Sequence, residues 1–330
     1  MKKGLYILNE SAFDKIYSDK VRCEIGGLID IYAPAQTAAS VLAKPEVLHD
    51  AEVIFSGWGV PLMNEKFLEA APNLKAVFYG AGSIKHFVTD AFWKRNIVVT
   101  SSYAANAIPV SEFTLSQILY SLKRGWYYSS CIRRNGSYPE HGPVPGTYGS
   151  TVGIISLGMI GQLVCKLLKS IDVKVIAYDP YIPVKTASEL DVELCTLDDL
   201  FMRSDVVSLH TPWNKETENM IRGSHFRLMK TGAAFINTAR GAVVFESEMI
   251  EVLRERPDLQ AVLDVTYPEP PEKGSPLYTM ENVTLTPHIA GSMGNECQRM
   301  GEYMLRELNR YLKGEPLKWA LTQEKAVHMA

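Results

Sequence analysis

The sequence predicts an α/β protein with parallel sheets in two domains, on three observations. Short Val- and Ile-rich runs alternate with longer amphipathic stretches, the order that βαβ units produce. The pattern restarts near residue 150, just after a stretch rich in Gly, Pro and Tyr. The chain has 330 residues, 46 % of them hydrophobic and 22 % charged, which is enough apolar material for two cores.

Strands are expected first near 4–9, 27–32, 51–56, 74–80 and 96–100, with a helix at 63–71 among the connecting stretches. A long helix is expected over 106–125, with Asn106 placed to cap it. Residues 134–150 read as a loop, since Gly136, Pro139, Gly142, Pro143, Pro145 and Gly146 interrupt any regular pattern. The second series of strands falls near 151–156, 173–178, 205–210, 233–238, 260–265 and 283–286. Helices fit near 158–170, 197–203, 223–230 and 245–255. After 294, Met300, Tyr303, Met304, Leu308, Tyr311 and Leu312 recur at helical spacing. The pattern runs out near Trp319, so no appended regulatory domain is expected.

Charge and composition exclude several functions. The net charge is −3 and no basic run is present, which argues against nucleic-acid and membrane-surface partners. Asn9 and Glu10 arrive too soon for a signal peptide. No window approaches the ~18 apolar residues of a membrane helix. The five cysteines are scattered with no metal-ligand spacing, so no metal site and a reduced, cytoplasmic compartment are expected.

The most informative local pattern begins at a buried-strand run, Thr151 to Ile155. It continues as Ser156-Leu157-Gly158-Met159-Ile160-Gly161, then a helix, then a second strand ending at Asp179. This is the order of a mononucleotide-binding βαβ unit. Gly158 would let backbone approach a pyrophosphate, and Gly161 would let the helix pack close to the strand. The first N–H groups of the helix, at Met159 and Ile160, would hold phosphate oxygens. Asp179 would accept from a ribose diol and repel a 2′-phosphate. No Arg follows it closely, so the expected cofactor is NAD and not NADP. The first glycine of the usual fingerprint is missing, because Ser156 stands there. That is harmless if φ at 156 is negative. From the turn alone, an ordinary strand–turn–helix remains an alternative.

Three polar residues follow later strands: Arg240 after Phe235–Ala239, Glu269 after Val262–Val265, and His288 after Val283–Pro287. In open α/β sheets ligands bind beyond the carboxyl ends of the strands. The three residue types suit hydride exchange with a 2-keto acid. His288 can give the proton, since imidazole titrates near neutrality. Arg240 can clamp carboxylate and carbonyl oxygens with its planar fork. Glu269 can accept from the other ring nitrogen of His288, orient it and favour its protonated form. Each residue by itself also fits a structural role, a solvated turn or an ordinary loop acid.

At these residues the chain resembles the D-isomer-specific 2-hydroxyacid dehydrogenases. The resemblance covers nearly the whole chain and is most specific from about 103 to 291. It rests on several words in the family's order. These are Asn106-Ala107 with Val110-Ser111-Glu112, the dinucleotide turn with Tyr178-Asp179-Pro180, and Leu209-His210-Thr211-Pro212 with Thr217. Then come Asn237-Thr238-Ala239-Arg240-Gly241, Asp264-Val265 with Glu269-Pro270, and Thr286-Pro287-His288-Ile289-Ala290-Gly291. The resemblance implies that Arg240, Glu269 and His288 are the catalytic trio. It implies that Asp264 holds the nicotinamide carboxamide, that Thr211 and Thr238 line the cofactor, and that Gly80, Ala81 and Gly82 receive the substrate carboxylate.

The implied architecture is two doubly wound lobes with the active site between them. A Rossmann cofactor domain, 101–294, is inserted in a flavodoxin-like substrate domain made of 1–100 and 295–330. A homodimer through the cofactor domain is implied as well. Besides Ser156, two features depart from the family. Lys85, in Ser83-Ile84-Lys85, follows a loop where many members carry Asp. Trp58, in Ser56-Gly57-Trp58-Gly59, reads as a core or loop-packing aromatic, with a role facing the substrate as the alternative. The expected function is hydride transfer between NAD(H) and a small 2-hydroxy or 2-keto acid. A non-enzymatic NAD-sensing protein like the family's corepressor relatives is the alternative. Phosphonate or formate oxidation is a further one; formate-specific members carry Gln where this chain has Glu269.

Overall fold

The computed structural model describes residues 1–327. The described chain forms two compact units, residues 1–106 with 292–327, and Ala107–Gly291. The first passage between units lies inside the helix Tyr103–Leu122 and the second at Gly291–Ser292. The sequence reading placed these passages at 100–101 and 294–295.

The first unit is a sheet of β1 (Lys3–Ile7), β2 (Asp30–Ile31), β3 (Val53–Ser56), β4 (Ala76–Tyr79) and β5 (Val98–Ser101), joined at one edge by a late strand from the chain's end. The order β2-β1-β3-β4-β5 is the flavodoxin-like one, with its reversal between β1 and β3. Every residue of β3 and β4 is buried, because helices cover both faces of a parallel sheet. That is why these strands read as continuous apolar runs without alternation.

Several expectations for this unit need correcting. The strand near 27–32 shrinks to Asp30–Ile31, because Asp19–Leu28 is helix, started by Ser18 whose hydroxyl accepts the Val21 N–H. Helices Glu10–Ile16, Ala38–Ala43 and Asp90–Lys94 fall among the expected connecting stretches, but their bounds were not legible in the sequence. They are short, and a few turns carry too little periodicity to register. The terminal helix Glu296–Lys313 buries Met300, Met304 and Leu308 as its spacing predicts.

The second unit is a seven-stranded, wholly parallel sheet. Its strands are β6 (Ser150–Ile155), β7 (Val173–Tyr178), β8 (Glu193–Leu194), β9 (Val206–Leu209), β10 (Ala234–Asn237), β11 (Gln260–Leu263) and β12 (Val283–Leu285). The order β8-β7-β6-β9-β10-β11-β12 winds outward in both directions from β6 and β9. This is the Rossmann arrangement, and it puts the ligand crevice beyond the ends of β6 and β9. The two-residue β8 escaped the sequence reading, as did β13 (Ala320–Leu321), the late edge strand of the first sheet, which runs antiparallel to β5.

The long helix begins at Tyr103 and not at Asn106. Ser101 Oγ accepts the Tyr103 N–H at 3.2 Å, while Asn106 Oδ1 accepts the Ser292 N–H at 2.8 Å. Asn106 therefore ties down a returning segment instead of capping. The helix ends at Leu122. After Arg124, with φ +51°, a second helix that was not anticipated runs over Gly125–Asn135, and the loop expected at 134–150 follows it. Among the described residues no helix is long and apolar enough to cross a membrane, and all five cysteines are free thiols.

Candidate active site

The turn after β6 lies at the sheet's reversal point. A Cβ at Gly161 would run into the Ser156 carbonyl oxygen, so only glycine lets the helix Met159–Leu168 sit so close to the strand. Gly158 is different: a Cβ there would meet only Ser156 Oγ, at 3.9 Å, and is otherwise in open space. Gly158 is the N-cap and offers no side-chain partner, so the N–H groups of the first turn are left for a ligand. Thr211, beyond β9 on the other side of the reversal, has a buried hydroxyl without a partner among the described residues. An orphaned buried hydroxyl and a side-chain-free cradle at a helix start both fit a dinucleotide. We expect Gly161→Ala to open the turn, lowering stability by about 1–3 kcal/mol and weakening NADH binding by at least about tenfold. Thermal melts and NADH fluorescence titration measure both.

Ser156 does not satisfy the condition set for it. Its φ is +76°, in the left-handed region that penalises a side chain. Asp179 does more than was anticipated. Its Oδ2 accepts the Leu157 N–H at 2.7 Å, and its Oδ1 accepts those of Tyr181 and Ile182 at 2.8 and 3.0 Å. The carboxylate thus fastens the glycine turn to the end of β7. One acceptor position on Oδ2 remains for a ribose hydroxyl.

The ends of β10, β11 and β12 carry the three polar residues. His288 Nδ1 lies 2.6 Å from Glu269 Oε1, and the two side chains are 47 % and 41 % exposed. Nε2 of His288 is the nitrogen left for other chemistry. His288 has φ +53°, an uncommon conformation for a residue with a side chain. It is held by its own N–H, which donates to the carbonyls of Asp264 and Thr286, both at 3.0 Å. Asp264, 2 % exposed, secures the next residues: its carboxylate accepts from Thr286 Oγ1 at 2.6 Å and from the Ile289 and Ala290 N–H groups at 2.9 Å. This holding role for Asp264 was not anticipated. The signal available in sequence was the Thr286-Pro287-His288 word alone.

Arg240 is half-buried. Burial lowers its pKa, and the nearby Glu269 charge opposes that shift. Its Nη1 donates to the Ala239 carbonyl at 2.6 Å. Asn237 braces the turn, accepting the Ala239 N–H at 2.9 Å and donating to the Arg240 carbonyl at 3.1 Å. Gly241 lies so tightly on the Thr266 backbone that a Cβ would not fit. Of the two expected threonines, Thr238 is already paired with Thr114, the hydroxyl oxygens 3.0 Å apart. His210 was singled out only as part of a motif. Burial pushes it down to about 3, which keeps it neutral, and its Nε2 pairs with Ser208 Oγ at 3.0 Å.

In the first unit the loop after β4 carries Gly80, Ala81 and Gly82. The Gly80 N–H is taken, since it donates to the Ser56 carbonyl at 2.8 Å. Ser101 Oγ donates to the carbonyls of Ala81 and Gly82, which turns those carbonyls inward. The expectation of a carboxylate-binding loop therefore falls on Ala81 and Gly82. Trp58 is 39 % exposed, so the core reading does not hold. It lies past the end of β3, its carbonyl accepting the Asn9 N–H at 2.8 Å. Lys85 is exposed.

A reversal-point glycine turn closed by a strand-end carboxylate defines a dinucleotide-binding protein. The chain belongs to the D-isomer specific 2-hydroxyacid dehydrogenase family, whose NAD binding domain matches residues 115–290. NAD is the cofactor of that domain, as Asp179 leads one to expect. The chain is 36 % identical over 260 residues to a glyoxylate reductase of Thermofilum pendens, covering 77 % of this chain and 76 % of that one. It is 31 % identical over 281 residues to a D-3-phosphoglycerate dehydrogenase of Methanocaldococcus jannaschii, covering 84 % of this chain. The chain spans about half the length of that relative, 53 %. In fold it resembles the NAD complexed form of a D-isomer specific 2-hydroxyacid dehydrogenase from Lactobacillus delbrueckii ssp. bulgaricus. The TM-score is 0.82 at 23 % identity, over 98 % of this chain and 100 % of that one.

Proposed function

We propose that the protein reduces a small 2-keto acid to the 2-hydroxy acid with NADH, and runs the reverse reaction with NAD. The observation that carries this reading is the 2.6 Å His288–Glu269 pair at the same sheet ends as the half-buried Arg240. Bound NADH would supply the hydride. His288 gives a proton from Nε2 to the carbonyl oxygen as charge develops there. Glu269 fixes the ring through Nδ1 and stabilises the imidazolium. Arg240 pairs with the substrate carboxylate and polarises the carbonyl. Met159, Ile160 and Gly158 would hold the pyrophosphate and Asp179 the ribose. Thr211 and Thr238 would line the cofactor, and Asp264 would add a contact to the nicotinamide carboxamide through its remaining acceptor position.

The first unit serves as the substrate domain, with Ala81 and Gly82 donating to the carboxylate. The second is the cofactor domain. The protein works in the cytoplasm as a homodimer through the cofactor domain. Exposed aromatics on the segment after the long helix, Tyr138 at 88 % and Tyr148 at 85 %, support that pairing surface. The similarity to a glyoxylate reductase makes glyoxylate the first substrate to try.

The test is an NADH-oxidation panel of 2-keto acids graded in size and charge. We expect turnover with at least one small acid and a clear preference for NADH over NADPH. Tight NADH binding with no acid reduced would overturn catalysis in favour of an NAD-sensing role.

A further inference from the structure

Ser156 presents an unexplained cost. At φ +76° a side chain is strained, and glycine would sit there freely. Among the described residues nothing offsets the strain. Its N–H donates to the Tyr178 carbonyl at 2.8 Å and its carbonyl faces Gly161, but glycine would do both equally well. Among the described residues the hydroxyl makes no hydrogen bond, and it does not cap the helix that follows. Its position is informative. Oγ lies 3.9 Å from where a Gly158 Cβ would stand, on the side of the turn that is otherwise open. That is the side from which a pyrophosphate can approach the N–H groups of the helix Met159–Leu168.

We propose that the Ser156 hydroxyl is a cofactor-positioning group that donates a hydrogen bond to the pyrophosphate of NAD. The inference rests on NAD binding at this turn. Backbone strain kept at a ligand site is repaid when the ligand arrives. A hydroxyl donating to an anionic oxygen is a charge-assisted bond, stronger than a neutral one. Ser156 would thus add a side-chain contact to those of the backbone N–H groups at the start of the helix Met159–Leu168.

The test compares the intact protein with Ser156→Gly and Ser156→Ala. NADH affinity is read by fluorescence titration, ADP-ribose and adenosine affinity by NADH displacement, and cofactor-free stability by thermal melting. Both variants should bind NADH and ADP-ribose about tenfold more weakly, since each loses one charge-assisted bond. Adenosine, which lacks the pyrophosphate, should bind all three proteins alike. Ser156→Gly should also raise the cofactor-free melting midpoint, because it removes the strain, whereas Ser156→Ala should not. Unchanged NADH affinity in both variants overturns the proposal. So does a loss that adenosine shares, which would make the effect one of shape. Failure of the unaltered protein to bind NADH at all would instead remove the cofactor assignment at this turn.

Discussion

Arg240→Ala is expected to lower kcat/KM for a 2-keto acid by roughly a thousandfold while leaving NADH affinity within about twofold. The magnitude follows from two charge-assisted hydrogen bonds at about 1.5–3 kcal/mol each, lost together. The guanidinium is half-buried, so its interaction with a carboxylate is less screened than at an open surface. Removing it leaves the substrate's charge without a partner. Arg240→Lys should recover only a small part of the loss, because a single ammonium cannot reproduce the planar fork. The turn that carries Arg240 is braced by Asn237 and pressed on Thr266, so neither change should unfold it. Steady-state kinetics beside an NADH titration decides the matter. Ordinary turnover by Arg240→Ala would place the carboxylate clamp elsewhere.

The second large effect is expected at His288. Losing a general acid costs about a hundredfold to ten-thousandfold in kcat. The choice of substitution matters because His288 has φ +53°. Asparagine tolerates the left-handed region better than most residues, so His288→Asn removes the proton donor with little change in backbone strain. We expect that variant to bind NADH normally and melt within a few degrees of the unaltered protein, yet to be nearly inactive. Glu269→Gln should have a smaller effect, about tenfold to a hundredfold in kcat. An amide can still meet Nδ1 through its oxygen, but it no longer stabilises the imidazolium as a charge. If His288→Asn retained full kcat, the proton would have to come from another group and the assignment of the pair would fail.

The sequence carried a great deal of this protein, and particular elements show why. β3, β4 and the core strands of the second sheet were legible because parallel strands buried on both faces are continuous apolar runs. The helix Glu296–Lys313 was legible because a long amphipathic helix repeats its apolar positions over several turns. Asp179 and the glycine turn were legible because their chemistry depends on local order: strand, turn, helix, strand. β8 and β13 were not legible. Each is two residues long and exists only because another strand, β7 for β8 and the remote β5 for β13, offers it hydrogen bonds. Asn106 looked like a cap because capping is a local rule. The partner it has, the Ser292 N–H, is remote in sequence.

By itself the sequence determined two α/β units, an NAD-binding turn, and which residue types stand at the strand ends. Those depend on periodicity and local chemistry, which the chain states directly. Tertiary structure decided the rest. It set the sign of φ at Ser156, where the packing of Gly161 on the Ser156 carbonyl fixes the turn. It spent the Gly80 N–H on Ser56, and it left Trp58 partly exposed. It also brought His288 Nδ1 to Glu269, because neighbouring parallel strands release their loops at the same edge. Pairing, burial and dihedral sign arise from contacts between segments far apart in the chain, and no local pattern encodes them.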